Sequence, residues 1–140
     1  MSALSDYLEG ELLDHIFNAA FTTTANDTFV ALFTATPSDA GGGTEATGGS
    51  YARKEVNPNG GAAPTWALAT VDGIGYVVDN ASDITFVTAT ASWGTITHFG
   101  IFDAVTAGNL LWWGALDASK TVGSGDTFKF STGDLNLRLE

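Results

Sequence analysis

Residues 92–116 read SWGTITHFGIFDAVTAGNLLWWGAL and contain the two segments that decide the predicted fold. In the first segment, Phe99 and Ile101 fall on one face of a strand, and Ile96 falls on the other with Phe102. Apolar side chains on both faces are typical of an inner strand that is covered on both sides. The second segment is equally apolar, and the connection between them is rich in turn formers. We therefore predict a central hairpin made of Thr95–Phe102, the turn Asp103–Asn109 and Leu110–Leu116.

Shorter segments before and after this hairpin also have strand composition and are separated by Gly, Asn, Asp and Pro. This pattern predicts an antiparallel β-sandwich, or a jelly-roll-like variant, that forms a single domain over residues 1–140. Its expected interior includes Phe99, Ile101, Trp112 and Leu137. The other predicted strands are Thr28–Thr34, Ser50–Val56, Asp83–Val87, a hairpin of Trp66–Asp72 with Gly75–Asp79, and a hairpin of Thr127–Phe130 with Leu135–Leu139 around the turn Ser131–Asp134.

The N-terminal residues 1–20 predict one helix, with Ser5 as its N-cap and acidic residues in its first turn. Its apolar residues recur at helical spacing and form a wide arc. Two interpretations stay open: the helix lies across its own sandwich, or it is an arm that docks on a neighbouring chain. The arc consists of Leu4, Leu8, Leu12, Leu13, Ile16, Phe17 and Ala20, from which we take Leu8, Leu12, Ile16 and Phe17 as interface candidates.

Composition excludes several classes of partner. The chain of 140 residues has a formal net charge of −11 and no cysteine, and its pI is about 4.1. A strongly acidic surface is repelled by nucleic-acid phosphates and by anionic lipids, so we expect neither partner. No apolar run reaches the roughly 20 residues of a membrane helix, and we expect no signal peptide. Without cysteine there is neither a disulfide nor a thiolate metal site.

Residues with catalytic chemistry are dispersed, so we expect no enzyme, no cofactor and no metal. His15 is expected to be solvated and His98 to be a buried, hydrogen-bonded side chain, with Asp103 on the other side of its strand. The glycine-rich loop at Gly41–Gly43 lacks the Lys-Ser/Thr and the following helix of a phosphate-binding loop. Two alternatives are a loop calcium site built from Asp79, Asn80 and Asp83 and a carboxylate pair suited to glycoside hydrolysis.

Three segments, Thr28–Val56, Ile84–Leu116 and Thr121–Leu139, resemble a family of small virion proteins of tailed bacteriophages. The resemblance rests on a Thr-Pro-x-Asp turn at Thr36–Asp39, on Glu45, Gly48 and Tyr51-Ala52-Arg53, and on Trp93-Gly94 through Asp103. Members of this family are commonly labelled tail fibre proteins.

The resemblance implies a structural virion protein, for which the chain suggests two locations. No shaft-forming repeat or heptad pattern is present, so we favour a capsid decoration (cement) protein that binds the major capsid protein. The alternative is a tail fibre or tail-tip component that binds tail proteins and contacts the host surface. In either case we expect a homo-oligomer, with a trimer as the expected form. Tyr51 and Arg53 of the family motif complete the predicted interface, and the loops Ser38–Gly49 and Asn57–Pro64 are further contact candidates.

Overall fold

The structure, a computed structural model, describes residues 2–17, 27–73 and 75–139. Antiparallel strands dominate this part of the chain, and one helix lies near its N-terminus. In chain order the elements are β1 (Ser2–Leu4), α1 (Asp6–Phe17), β2 (Thr28–Ala35), β3 (Thr44–Glu45), β4 (Lys54–Val56), β5 (Thr70–Asp72), β6 (Gly75–Asp79), β7 (Ile84–Thr85), β8 (Gly94–Phe102), β9 (Leu110–Val122), β10 (Lys129–Phe130) and β11 (Asn136–Leu139).

The predicted central hairpin is present as β8 and β9, the two longest strands of the described chain. They lie inside a sheet with the order β1-β9-β8-β2-β3, in which β4 also pairs with β2. Every pairing in this sheet is antiparallel. Because β8 has a neighbour on each side and apolar residues on both faces, it occupies the inner position that its sequence predicts.

Two smaller sheets, β11-β6-β5 and β10-β7, supply the second layer. One core cluster joins the layers: Val30, Leu32 and Phe99 come from the large sheet, and Ile84 and Phe130 from the second layer. Phe99 and Ile101 are buried as predicted, whereas Trp112 and Leu137 are partly buried and pack against the cluster. The antiparallel β-sandwich predicted from the strand pattern is therefore confirmed.

Ile96 departs from its predicted placement. It lies in the same core cluster as Phe99 and Ile101 rather than on the opposite face. The register between β8 and β9 shifts between the pairs Ile96–Lys120 and His98–Ala115. A bulge of this kind interrupts the two-residue alternation on which the prediction depended.

The predicted C-terminal hairpin is wrong. The turn at Ser131–Asp134 forms, with the Asp134 amide donating to the Ser131 carbonyl at 3.0 Å. However, β10 pairs with β7 and β11 pairs with β6, so the turn carries the chain from one sheet to another. The alternation of the C-terminal leucines also predicts that Leu139 is buried beside Leu137. Leu139 shares the face of Leu137, but its side chain is 48% exposed, so the sandwich does not cover it.

The first residues form a strand instead of the first turn of a helix. β1 pairs with β9, and Leu4 lies opposite Trp112. The helix begins at Asp6, and the predicted residues 18–20 lie outside the described part of the chain. Backbone pairing with the unoccupied edge of β9 outcompetes helical bonds for Leu4, whose side chain also finds apolar neighbours there. No helix within residues 2–17, 27–73 and 75–139 has the length and hydropathy needed to cross a membrane.

Candidate interface helix and its surroundings

The start of α1 is fixed to the sandwich through Ser5. The Ser5 hydroxyl donates a hydrogen bond to the carbonyl of Leu110 and accepts one from the Leu8 amide at 3.3 Å. The Ser5 amide donates to the carbonyl of Leu111 at 3.0 Å. The bond from the Leu8 amide caps the helix, as predicted, because it satisfies an amide that has no partner inside the first turn. Ser5 therefore sets the position from which the helix leaves the sheet.

The apolar stripe of α1 is turned toward solvent. No residue of the helix is buried, and the exposed fractions of Leu13, Ile16 and Phe17 are 58%, 59% and 74%. Leu8 and Leu12 are half-buried near the anchored end. A 12-residue helix is marginally stable alone in water, and most helices of this length gain stability by packing an apolar face. The arrangement fits the docking-arm interpretation better than a helix packed along its length on its own sandwich.

Arg53, another predicted interface residue, has its guanidinium bonded within the protomer. Its Nε and Nη2 donate to the two carboxylate oxygens of Glu45 at 2.9 and 2.8 Å. Its Nη1 donates to the carbonyls of Ala104 and Ala107 at 3.0 and 2.7 Å. The guanidinium carbon lies 3.5 Å from the centroid of the Phe102 ring. These contacts give Arg53 the role of holding the turn after β8 against strand β3, to which Glu45 belongs.

Tyr51 belongs to the same network and packs on the core. Its hydroxyl accepts a hydrogen bond from the Leu32 amide at 2.9 Å and donates to Glu45 at 3.0 Å. Its ring packs edge-on against Trp93 and is stacked with Phe86. Burial raises the pKa of the Tyr51 phenol well above its ordinary value. Tyr51 and Arg53 therefore have internal structural roles that the sequence analysis did not identify, and we leave them out of the proposed contact surface.

The turn after β8 forms one wall of an open groove beside the anchored end of α1. Asp103 accepts hydrogen bonds from the backbone amide and side-chain amide of Asn109 at 2.7 and 2.8 Å. Gly108 has a φ of +74°, and a Cβ there would lie 2.5 Å from the Asp103 carboxylate, so the turn requires glycine. The groove encloses about 450 Å³ and is also lined by Asp6 and Asp39. Its carboxylates can accept hydrogen bonds and its amide groups can donate or accept them, and no histidine is among the described residues that line it.

The helix anchor and this groove share one further support. Asp39 Oδ1 accepts a hydrogen bond from Trp113 Nε1 at 2.9 Å, and the Asp39 carbonyl accepts one from the Asp6 amide at 3.0 Å. One aspartate thus connects the loop after β2, the strand β9 and the first turn of α1. This explains why the Thr-Pro-x-Asp turn and the helix start lie together.

The two histidines are separate from this groove. His98 is half-buried rather than fully buried; its Nδ1 lies 2.8 Å from the Thr97 hydroxyl, and burial lowers its pKa. His15 is exposed on α1, as expected.

Asn80, central to the calcium alternative, is buried and serves the fold. Its Nδ2 donates to the carbonyls of Ser82 and Ser131 at 2.8 Å each, and its Oδ1 accepts from the Leu135 amide at 2.9 Å. Asp83 is bonded to Lys129 and Thr132, and the hydrogen bond from Lys129 is the main cause of its lowered pKa. Within the described ranges, no group of three or more His, Cys, Asp or Glu side chains could hold a metal ion.

A second exposed apolar surface lies on the sheet β11-β6-β5. Val71 is paired with Tyr76, and Tyr76 is paired with Leu139, so the three side chains share one face in a row across the sheet. Their exposed fractions are 69%, 57% and 48%. This row was not predicted from the sequence. Its only sequence signal was the apolar residue at each position, which is equally typical of a buried strand.

Comparison with known proteins places the chain in a family. No individual curated protein matches it. A family model described as podophage GP4 fiber I protein gp80 matches residues 3–138, which include most of β1, every element from α1 to β10 and most of β11. The resemblance to phage fibre-type virion proteins that the motifs indicated is therefore confirmed. Because the match extends over nearly the whole chain, the protein belongs to the podophage GP4 fiber I (gp80) family.

Proposed function

We propose that this protein is a structural component of a tailed-bacteriophage virion and belongs to the tail, as part of a fibre or of the tail tip. The observation that carries the proposal is the family match over residues 3–138, because the family is described as a fiber protein. This reverses the order of preference in the sequence analysis, which placed capsid decoration first. The reversal follows from the family description.

The architecture suggests which part of a fibre the chain supplies. Its strands form a sandwich of short antiparallel sheets, and its sequence contains no heptad or shaft-forming repeat. We therefore propose a compact attachment or tip module rather than a shaft. The exposed stripe of Leu13, Ile16 and Phe17 is its proposed contact surface with a neighbouring chain.

Capsid decoration is the second candidate, and the absence of a shaft pattern is the observation that favours it. A decorating protein needs a stable body and an arm that reaches a neighbour, and α1 on its sandwich would satisfy both needs. The partner would then be the major capsid protein instead of a tail protein. Small contacts would suffice in that setting, because a shell repeats the same binding site many times.

Catalysis is not part of the proposed function. No described histidine lines the groove beside α1, and the Asp39 carboxylate in it already accepts a hydrogen bond from Trp113. The hydroxyl that lies 2.8 Å from His98 Nδ1 belongs to the adjacent Thr97, which is outside this groove. A screen against phage-relevant glycans and peptidoglycan tests this view. Turnover that disappears on changing one groove carboxylate, such as Asp39→Asn, would contradict it.

The location can be tested directly on virions. Heads and tails are separated after disruption of purified particles, and each fraction is analysed by mass spectrometry and by immunogold labelling with an antibody against this chain. We expect the chain in the tail fraction and the label at the tail. Recovery with tail-free heads would contradict the tail proposal and establish the decoration candidate.

A deletion of residues 1–20 is a poor test of the docking arm. It removes β1 from the edge of β9 and removes the buried Ser5 anchor, so loss of attachment and loss of folding would be confused. Point changes on the exposed stripe avoid this difficulty. Ile16→Asp should leave the sandwich folded and reduce incorporation into particles, whereas Val87→Asp, at an exposed valine away from α1, should affect neither.

A further inference from the structure

The molecule exposes two apolar surfaces of different shape. One is the stripe of Leu13, Ile16 and Phe17 on α1, which we call the helix stripe. The other is the flat row of Val71, Tyr76 and Leu139 on the sheet β11-β6-β5, which we call the sheet row. Each chain carries both, so a second copy can cover the helix stripe of the first with its own sheet row.

We infer that copies of this chain assemble head to tail, with the helix stripe of one protomer packed on the sheet row of the next. This inference deepens the homo-oligomer expected for the proposed function by naming the surfaces that meet. A helix packed on the apolar face of a sheet is one of the standard layer arrangements of proteins.

The position of the sheet row supports an incoming element of this kind. Val78 and Leu137, which are paired with each other, lie two residues along β6 and β11 from Tyr76 and Leu139 and pack against the core. Because side chains alternate along a strand, the sheet row continues the core-facing side of this sheet beyond the area that the sandwich covers. The sheet row therefore has the composition of a core-facing surface but remains exposed within the protomer.

The protomer's own helix leaves this surface open. The Ser5 anchor holds the start of α1 against the Leu110–Leu111 end of β9, and the helix stripe points to solvent. Yet β1, the strand that leads into α1, lies beside β11. Exchange of an identical element between protomers is a low-cost route to oligomers, and an arm rooted next to an apolar sheet that it leaves open can pack on that sheet in a second copy.

Charge favours helix on sheet over helix on helix. The helix carries Asp6, Glu9, Glu11 and Asp14, so two helices side by side would bring their acidic flanks together in a chain of net charge −11. The face that carries the sheet row has no charged side chain in β5, β6 or β11. Asp72, Asp79 and Arg138 lie an odd number of residues from the row on their strands, so they point to the opposite face. Packing an acidic helix on this uncharged face avoids most of the repulsion.

Area sets the expected strength. An aromatic side chain offers about 150–250 Å² and an aliphatic one less, so exposed fractions near one half to three quarters leave on average roughly 100 Å² at each of the six residues. One contact then buries about 600 Å² of apolar surface, below the roughly 1,200–2,000 Å² of total surface in a standard interface, so a single contact is weak. A head-to-tail contact whose rotation closes makes a ring, in which every protomer has two contacts and none is left over. We therefore expect a concentration-dependent closed oligomer.

Disulfide trapping tests the geometry, since the chain has no cysteine of its own. Phe17→Cys chains and Tyr76→Cys chains are mixed under mild oxidation. We expect a mixed dimer joined between positions 17 and 76, and far less of either self-linked dimer. Thr47→Cys, at an exposed loop position, is the control for random collision. Dominant linkage of position 17 to position 17 would overturn the inference in favour of helix pairing. An intramolecular link in the chain with both changes at low concentration would overturn it in favour of closure on its own sheet.

Complementation between variants gives a second, independent test. Ile16→Asp removes the helix stripe and Val71→Asp removes the sheet row, so each variant should be monomeric by light scattering while keeping the far-UV spectrum of the parent. Mixing them should restore a dimer and nothing larger, because only one contact is intact. Val87→Asp should keep the parent's oligomeric state. A parent chain that is monomeric at its highest soluble concentration would overturn the inference while leaving the virion location, which is tested by immunogold, unaffected.

Discussion

Replacement of Arg53 tests whether its network holds the turn after β8 in place. Arg53→Met removes four hydrogen bonds and the guanidinium over Phe102, and leaves Glu45 without its ion pair. Breaking one side of a buried pair costs about 3–5 kcal/mol. The side chains of Arg53 and Glu45 are 9% and 25% exposed, so water can partly replace the lost partner of Glu45. We therefore expect the free energy of unfolding to fall by about 3 kcal/mol, at the lower end of that range.

Arg53→Lys separates charge from geometry. Lysine keeps the positive charge but is a point donor that cannot bind both oxygens of Glu45 and two carbonyls at once. We expect a loss of about 2 kcal/mol, the size of one or two hydrogen bonds to a charged group. Lys129→Met is the matched control, because its ion pair with Asp83 has a similar length of 2.9 Å but side chains that are 44% and 48% exposed. Its unfolding midpoint should not change measurably.

The assay is urea unfolding followed by tryptophan fluorescence, with linear extrapolation and a check that the slope is unchanged. A double-mutant cycle with Glu45→Gln should give a coupling energy of roughly 1–3 kcal/mol. If Arg53→Met and Lys129→Met have equally small effects, the network does not stabilise the turn and the reasoning is refuted. Normal stability of Arg53→Lys with a large loss in Arg53→Met would show that charge alone matters and that the forked geometry does not.

Three further predictions concern the core, the cap and pH. Trp112→Ala should lower the free energy of unfolding by about 3 kcal/mol. Trp112→Phe should lower it much less, because the buried Trp112 Nε1 has no hydrogen-bond partner among the described residues. Equal losses for the two variants in urea unfolding would contradict this. Ser5→Ala should lower the free energy of unfolding by about 1–2 kcal/mol, because it removes the N-cap and leaves the Leu110 carbonyl without the Ser5 hydroxyl. An unchanged urea midpoint and an unchanged helical far-UV signal would contradict the proposed anchor. Burial lowers the pKa of His98 below 6.5, so the unfolded chain binds this proton more readily and stability should decline as the pH falls below about 6.5. His98→Gln should make the melting temperature less dependent on pH between 7 and 5, and an unchanged slope would refute that assignment.

Local pattern was sufficient to predict much of the sandwich. The alternation around Phe99 and Ile101 predicted an inner strand, and the position of Ser5 before an apolar-periodic run predicted the helix cap. These features depend on residues within a few positions of each other, for which periodicity and capping chemistry are direct signals. The motif around Tyr51 and Arg53 indicated the family without indicating what those side chains bind.

Pairing between distant segments was not predictable in the same way. The separation of β10 and β11 into different sheets depends on which strands lie beside them, and Ser131–Asp134 has the same turn sequence whether or not it closes a hairpin. Likewise, Leu4 is compatible with a helix or with a strand, and only the available edge of β9 decides between them. The bulge beside Ile96 has no local signature in its own strand.

The amino-acid sequence by itself determined which segments are apolar and with what period their apolar residues recur. These two features predicted an antiparallel β protein with one amphipathic helix. Tertiary structure alone decided which apolar faces are covered. The stripe of Ile16 and Phe17 and the row of Val71 and Tyr76 have the composition of core, but both remain exposed. The physical reason is that hydrophobicity reports how strongly a surface favours burial, whereas the element that buries it is set by the three-dimensional arrangement of the chain.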